Sequence, residues 1–102
     1  MELIYNLKCI LMDNNYIQCQ KAYLRGSYAR GEYQIESDID LLIISSDFIS
    51  VSIIKRKEIA KKIFQDKIDN VIDCICLTEE EYNKAINEKR EILLKEMMIE
   101  VL

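Results

Sequence analysis

Three aspartates and one glycine-serine pair are the residues of this sequence best placed to do chemistry. Asp38 and Asp40 stand at i and i+2 at the head of an apolar run, Asp38-Ile39-Asp40-Leu41-Leu42-Ile43-Ile44. On an extended strand, side chains two residues apart share a face. Hard cations such as Mg2+ take oxygen ligands, chiefly carboxylates and substrate phosphates. The pair can therefore bind one metal or bridge two. Asp73 interrupts a second apolar run, Val71-Ile72-Asp73-Cys74-Ile75-Cys76-Leu77. A carboxylate inside such a strand needs an ion partner, hydrogen bonds or a metal. Its face carries Val71 and Ile75, with Ile72, Cys74 and Cys76 opposite. If the two strands lie side by side, three carboxylates converge. Gly26-Ser27 follows an expected strand and precedes an expected helical turn. Glycine permits positive φ and close approach of a ligand. The Ser27 hydroxyl and the following N–H groups are suited to phosphate oxygens. Taken singly, each feature has a plainer reading: an ordinary turn, a solvated acid pair, a salt-bridged acid.

The composition narrows the chemistry. The chain has 102 residues, half of them apolar, and reads as one domain over 1–102. Histidine is absent, which removes Ser-His-Asp and Cys-His machinery and every histidine metal site. Proline is absent as well. The net charge of −4 disfavours direct nucleic-acid binding, which calls for a basic face. It leaves metal-mediated nucleotide binding open. The four cysteines, Cys9, Cys19, Cys74 and Cys76, lack zinc spacing and read as buried free thiols. No run is long enough for a membrane span, and the N-terminus lacks the pattern of a secretory leader. The expected location is the cytoplasm.

The elements that must position these residues follow from apolar spacing. Leu3 to Met12 has helical periodicity, closed by Asp13-Asn14-Asn15. The later part of Tyr16–Leu24 reads as a strand, followed by a short helical turn and a loop to Ser37. Asp38–Ser45 is the strongest strand and should be central in a covered sheet. Val51–Ile68 reads as an amphipathic helix, and Val71–Leu77 as a buried strand. Thr78-Glu79-Glu80-Glu81 fits a capping box opening a helix through Tyr82, Ala85 and Ile86. A further helix is expected through Ile92, Leu93, Met97, Met98 and Val101. The class is α/β (α+β): a small mixed sheet with helices packed on it.

Together the motifs carry a resemblance. Gly26-Ser27, ten intervening residues, then Asp38-Ile39-Asp40 resembles the Gly-Ser…Asp-x-Asp signature of the DNA polymerase β-like nucleotidyltransferase superfamily. Ala29-Arg30-Gly31 and Ser37-Asp38-Ile39-Asp40-Leu41 resemble its minimal nucleotidyltransferase branch. Arg90-Glu91-Ile92-Leu93-Leu94-Lys95-Glu96 resembles the last helix of those small domains. The resemblance implies a nucleotidyltransferase fold that uses ATP with two Mg2+ ions. It implies transfer of a nucleoside monophosphate to a hydroxyl, with release of pyrophosphate. Gly26 and Ser27 would hold the β- and γ-phosphates, with Arg30 near them. Asp38 and Asp40 would bind both metals, and Asp73 would serve the acceptor-side metal and act as base. Arg25 departs from the pattern, because that position is often aromatic in the small branch. From its charge it could reach a phosphate, or pair with Glu32 or Glu36.

The chain is short and leaves little to build an acceptor pocket, so a partner protein or a homo-oligomer should complete it. The branch implies a HEPN-type toxin as partner, adenylylated on a tyrosine, with this chain as the antitoxin. Transfer to a small molecule, as in aminoglycoside nucleotidyltransferases, is the second reading, although those enzymes add a helical domain. A non-catalytic partner-binding module is the third, and the presence of all three acids counts against it. The apolar residues Met97, Met98, Val101 and Leu102 point to a covered C-terminal end.

Overall fold

The computed structural model describes residues 2–88 and 98–102. Helix α1 (Glu2–Asp13) is followed by β1 (Lys21–Arg25), α2 (Gly26–Arg30), β2 (Ile39–Ile44), a 3-10 turn (Ser46–Phe48), α3 (Ile53–Phe64), β3 (Ile72–Leu77), α4 (Glu79–Asn87) and β4 (Ile99–Glu100). The four strands form one mixed sheet in the order β3-β2-β1-β4. β2 runs parallel to β3 and antiparallel to β1, and β1 is antiparallel to β4. This is the mixed α/β architecture that the apolar spacing predicts.

β2 is central, as its two-sided apolar run requires. Leu41 and Ile43 join Leu24, Ala22, Cys74 and Cys76 in the larger core, with Leu7 and Leu11 of α1 and Ala60, Ile63 and Phe64 of α3. Leu42 and Ile44 face the other way, onto Tyr23, Tyr82 and Ala85. Full burial of such a Leu or Ile contributes roughly 1.5–3 kcal/mol, so β2 anchors both layers.

Three expectations need correction. The helix expected over Val51–Ile68 is shorter: Ser52 caps it by accepting from Lys55 N at 3.2 Å, and it stops at Phe64. Asp66 then takes a φ of 61°, a left-handed turn no helix continues through. The strand over Val71–Leu77 is an edge strand and not a buried one; Asp73 is exposed. Met98–Val101 is not helical: Ile99–Glu100 pairs with β1, and Val101 N donates to Ala22 O at 2.8 Å. Backbone groups on the open side of β1 need partners, and this stretch supplies them. Val101 is buried and Leu102 packs against the same core, so these residues are covered by the chain itself. The segment Arg90–Glu96, with Ile92, Leu93 and Met97, lies outside the described residues.

The capping box is present, with Thr78 Oγ1 accepting from Glu81 N and Glu81 Oε1 accepting from Thr78 N. Glu81 also takes Arg56, at 2.7 Å. Arg56 is buried and donates to Val51 O and Cys76 O as well, so it ties α3, β3 and α4 together. Its hydrogen bond holds the Glu81 carboxyl below the ordinary carboxylate value. Arg56→Ala leaves buried acceptors unpaired and should cost about 3 kcal/mol, measured as a shift in urea midpoint. Glu81→Gln should lose stability only where Glu81 is ionised. A carboxyl depressed in the folded state stabilises above its unfolded value, here 4.5, and the gain is lost as pH falls through the folded value. The gap to wild type in thermal melts should be full at pH 7 and closed in strong acid.

Candidate active site

The sheet register places the candidate residues. Arg25 is the cross-strand partner of Asp40, and Asp40 that of Asp73. Side chains directly opposite one another share a face, so Arg25, Asp40 and Asp73 form one row across three strands. The row lies on the α4 side of the sheet, at the end where β1 stops and β2 and β3 start. Asp38, just ahead of β2, is exposed beside it.

Asp40 is the half-buried centre of this group. Burial pushes its carboxyl above the ordinary value, and Asp73 and Asp38 push it further; Arg25, the larger counter-effect, and Arg30 pull it down. Three carboxylates and two guanidiniums thus share one electrostatic neighbourhood, with negative charge in excess. Hard-oxygen donors in that excess fit divalent cations. Among the described residues, no three His, Cys, Asp or Glu side chains are closed up to hold one ion. Like-charged carboxylates rest apart until a cation draws them in.

Gly26 sits against this centre. Its φ is +69°, and a Cβ there would overlap Asp40 Oδ2, with Asp40 Cγ only 3.1 Å away. The glycine of the Gly-Ser pair is therefore the seat of the Asp40 carboxylate. Ser27 opens the turn of α2, half-buried. Gly31, at φ 73°, ends α2, with Gly31 N bonded to Tyr28 O and Glu32 N to Ser27 O. That is a Schellman closure. The backbone between Gly26 and Gly31 is thus fixed at both ends.

Sequence reasoning missed three parts of the site. Arg25 neither pairs with Glu32 nor stands apart: it faces Asp40, and its Nε is buried with no partner. Glu32 instead binds Arg30, at 3.2 Å. Asn70, which carries no motif, has Nδ2 within 3.0 Å of both Ile35 O and Ser37 O and 3.3 Å from Tyr28 Oη. It holds the loop that delivers Asp38. Tyr33 stacks on Tyr28, ring centroids 4.2 Å apart, bracing the same loop. No local pattern could reveal contacts spanning 33 to 42 residues.

A glycine-serine turn thus lies against Asp40, with Asp38 beside it and a third carboxylate one strand away. The chain belongs to the nucleotidyltransferase domain family, whose model matches residues 6–100. It is 44% identical over 69 residues to a candidate protein adenylyltransferase of Methanocaldococcus jannaschii, a stretch that is 67% of this chain and 63% of that relative's length. In fold it is similar to a candidate nucleotidyltransferase of Sulfolobus solfataricus (TM-score 0.59, 24% identity, 81% of this chain and 73% of that one). It is also similar to a toxin-antitoxin structure with AMP-PNP (TM-score 0.67, 23% identity, 97% of this chain and 72% of that one). Among the described residues, no helix is long and apolar enough to cross a membrane.

Gly26→Ala should both strain the backbone, by about 1–2 kcal/mol, and evict the Asp40 carboxylate. The expected result is a lower melting temperature together with loss of nucleotide-induced stabilisation. Asp40→Asn should do the reverse to stability. A carboxyl raised in the folded state costs more to ionise there, so the wild type loses stability as pH rises past 3.8 and the amide does not. Asp40→Asn should melt higher than wild type at pH 7, with the difference gone below pH 3.8.

Proposed function

We propose that this chain transfers AMP from ATP to a hydroxyl, and that the acceptor is a tyrosine of a partner protein, a HEPN-type toxin that the chain neutralises as its antitoxin. The observation that carries this reading is the Arg25–Asp40–Asp73 row with Asp38 beside it and Gly26-Ser27 against it, in a nucleotidyltransferase domain. The names of the Methanocaldococcus jannaschii relative and of the toxin-antitoxin neighbour support the protein acceptor.

Asp38 and Asp40 are the residues that would hold two Mg2+ ions, with Asp73 completing the acceptor side. When bound, the ions supply neutralisation of the triphosphate and polarisation of the reacting oxygens. The remaining roles fall to the chain's own groups. Gly26 N–H, Ser27 Oγ and the next backbone amides hold the β- and γ-phosphates, and Arg30 is close enough to share that charge. Arg25, facing Asp40, favours the ionised form of that carboxylate against the effect of burial. The acceptor oxygen attacks the α-phosphorus as the bond to the β-phosphate oxygen breaks. Pyrophosphate leaves with the electron pair, and the hydroxyl proton passes to Asp73. Positioning and charge neutralisation dominate such transfers, which suits a site without histidine.

The test is to mix the protein with the product of its neighbouring gene, ATP and Mg2+, and to map mass gains of one adenylate. Modification of a tyrosine in the partner is expected. Labelling confined to this chain's own tyrosines, or none, overturns the reading. Asp73→Asn should cut the transfer rate at least tenfold with nucleotide affinity nearly unchanged, whereas Ser27→Ala should mainly weaken nucleotide binding, as read by thermal shift against ATP concentration.

A further inference from the structure

Among the described residues, β3 is the last strand on its side of the sheet and the row of acids ends on it. Ile39 N donates to Val71 O and Ser45 N to Leu77 O. In a parallel ladder, alternate residues turn both backbone groups to one neighbour. Residues 71, 73, 75 and 77 therefore face β2, while Ile72, Cys74 and Cys76 face outward. Arg56 takes Cys76 O at 3.0 Å and closes that end of the edge. Among the described residues, nothing pairs with the outer groups of Ile72 and Cys74. Proteins commonly blunt such an edge with proline, a bulge or a covering segment; this chain has no proline.

Beside this open stretch, between β3 and α3, lies a groove of about 510 Å3. Ala60, Phe64, Ile68 and Val71 give it an apolar floor, and Lys57 and Lys61 stand on its rim. Val71 is 66% exposed, an unusual position for valine next to an unpaired strand edge. Both lysines are exposed, and neither takes part in an ion pair among the described residues.

We propose that this edge is the acceptor's docking site. An extended segment of the acceptor protein adds as a fifth strand beside Ile72–Cys74 and brings its hydroxyl-bearing residue into register with Asp73. The inference rests on the protein-acceptor reading above. Added strands gain main-chain hydrogen bonds for affinity and alternate side-chain pockets for specificity. Strands lie about 4.8 Å apart, so the acceptor residue extends the Arg25–Asp40–Asp73 row by one place, on the same face. Its two neighbours turn to the opposite face, into the apolar groove. An acidic residue one pair further out meets Lys57 and Lys61, which stand one helical turn apart, and an acid at each end serves either strand direction. The segment is therefore acid-x-apolar-Tyr-apolar-x-acid. The arginine-closed end limits pairing to the half of the edge that serves the site.

The probe is the peptide Glu-Gln-Ile-Tyr-Ile-Gln-Glu, incubated with the full chain, ATP and Mg2+. A mass gain of one adenylate on the tyrosine is expected. The same peptide N-methylated at the tyrosine and both isoleucines keeps every side chain but cannot pair as a strand, and its labelling should fall at least tenfold. The double variant Lys57→Glu/Lys61→Glu should lose tenfold toward the acidic peptide and recover toward a peptide with lysine at both ends, while its thermal shift with ATP stays that of wild type. Equal labelling of the methylated peptide, or no charge-swap rescue, overturns the docking site. ATP cleaved to AMP and pyrophosphate with water as acceptor, but no peptide labelled, overturns the docking site and spares the adenylyl-transfer reading. No cleavage of ATP under any condition overturns both.

Discussion

The carboxylate of Asp40 is the group on which the rest of the site depends. It lies half-buried between Arg25 and Asp73, pressed against Gly26. Its burial raises the cost of its charge, and deeper burial would raise that cost further. β2 is apolar on both faces, so hydrophobicity alone hardly distinguishes one register from the next. A slip of one residue would send Asp40 into the core shared by Leu41, Ile43 and Phe64. The acid therefore specifies the pairing that the apolar residues stabilise. The same pairing brings Arg25 and Asp73 to its two sides.

Much of this was legible from residue types and spacing. The alternation of β2 and β3, the amphipathic face of α3 and the capping box at Thr78 are local patterns, and local patterns survive folding. Asp38, Asp40, Asp73, Gly26, Ser27 and Arg30 all come to one end of the sheet. The face assigned to Asp73, opposite Ile72, Cys74 and Cys76, is the observed one. The free state expected of the cysteines also holds. Burial pushes the Cys19 thiol up to about 12 and that of Cys76 to about 11, so both rest as neutral, inert groups.

What was not legible depends on order in the sheet and on distant contacts. An apolar strand with one acid reads as buried, yet β3 is at the edge; its Cys74 and Cys76 face is covered by α3, and Asp73 is left in the open. Strand order is a tertiary property that periodicity does not encode. Met98–Val101 has helical-looking spacing, but the unpaired side of β1 claims it as a strand, a tertiary demand that overrides local preference. Arg25 seemed free to choose among Glu32, Glu36 and a ligand. Cross-strand register sets it opposite Asp40, fifteen positions away in the chain. Asn70 acts through backbone carbonyls of a loop, which leaves no mark in composition.

The openness of the site follows from connectivity. β2 and β3 are parallel, so the chain must cross over between them, and α3 makes that crossing on the face of Leu41 and Ile43. α4 then begins at Glu79, directly after β3 ends at Leu77. It starts where the strands finish and packs Tyr82 and Ala85 onto Leu42 and Ile44. At the opposite end of that face, where Arg25, Asp40 and Asp73 stand, the described helix is the short α2, whose Gly26 meets Asp40. Charged groups also gain from staying there, because water screens three carboxylates that a covering helix would have to desolvate. Chain geometry and electrostatics thus favour the same outcome: among the described residues, an acid row that no long helix covers, adjoining an unpaired strand edge.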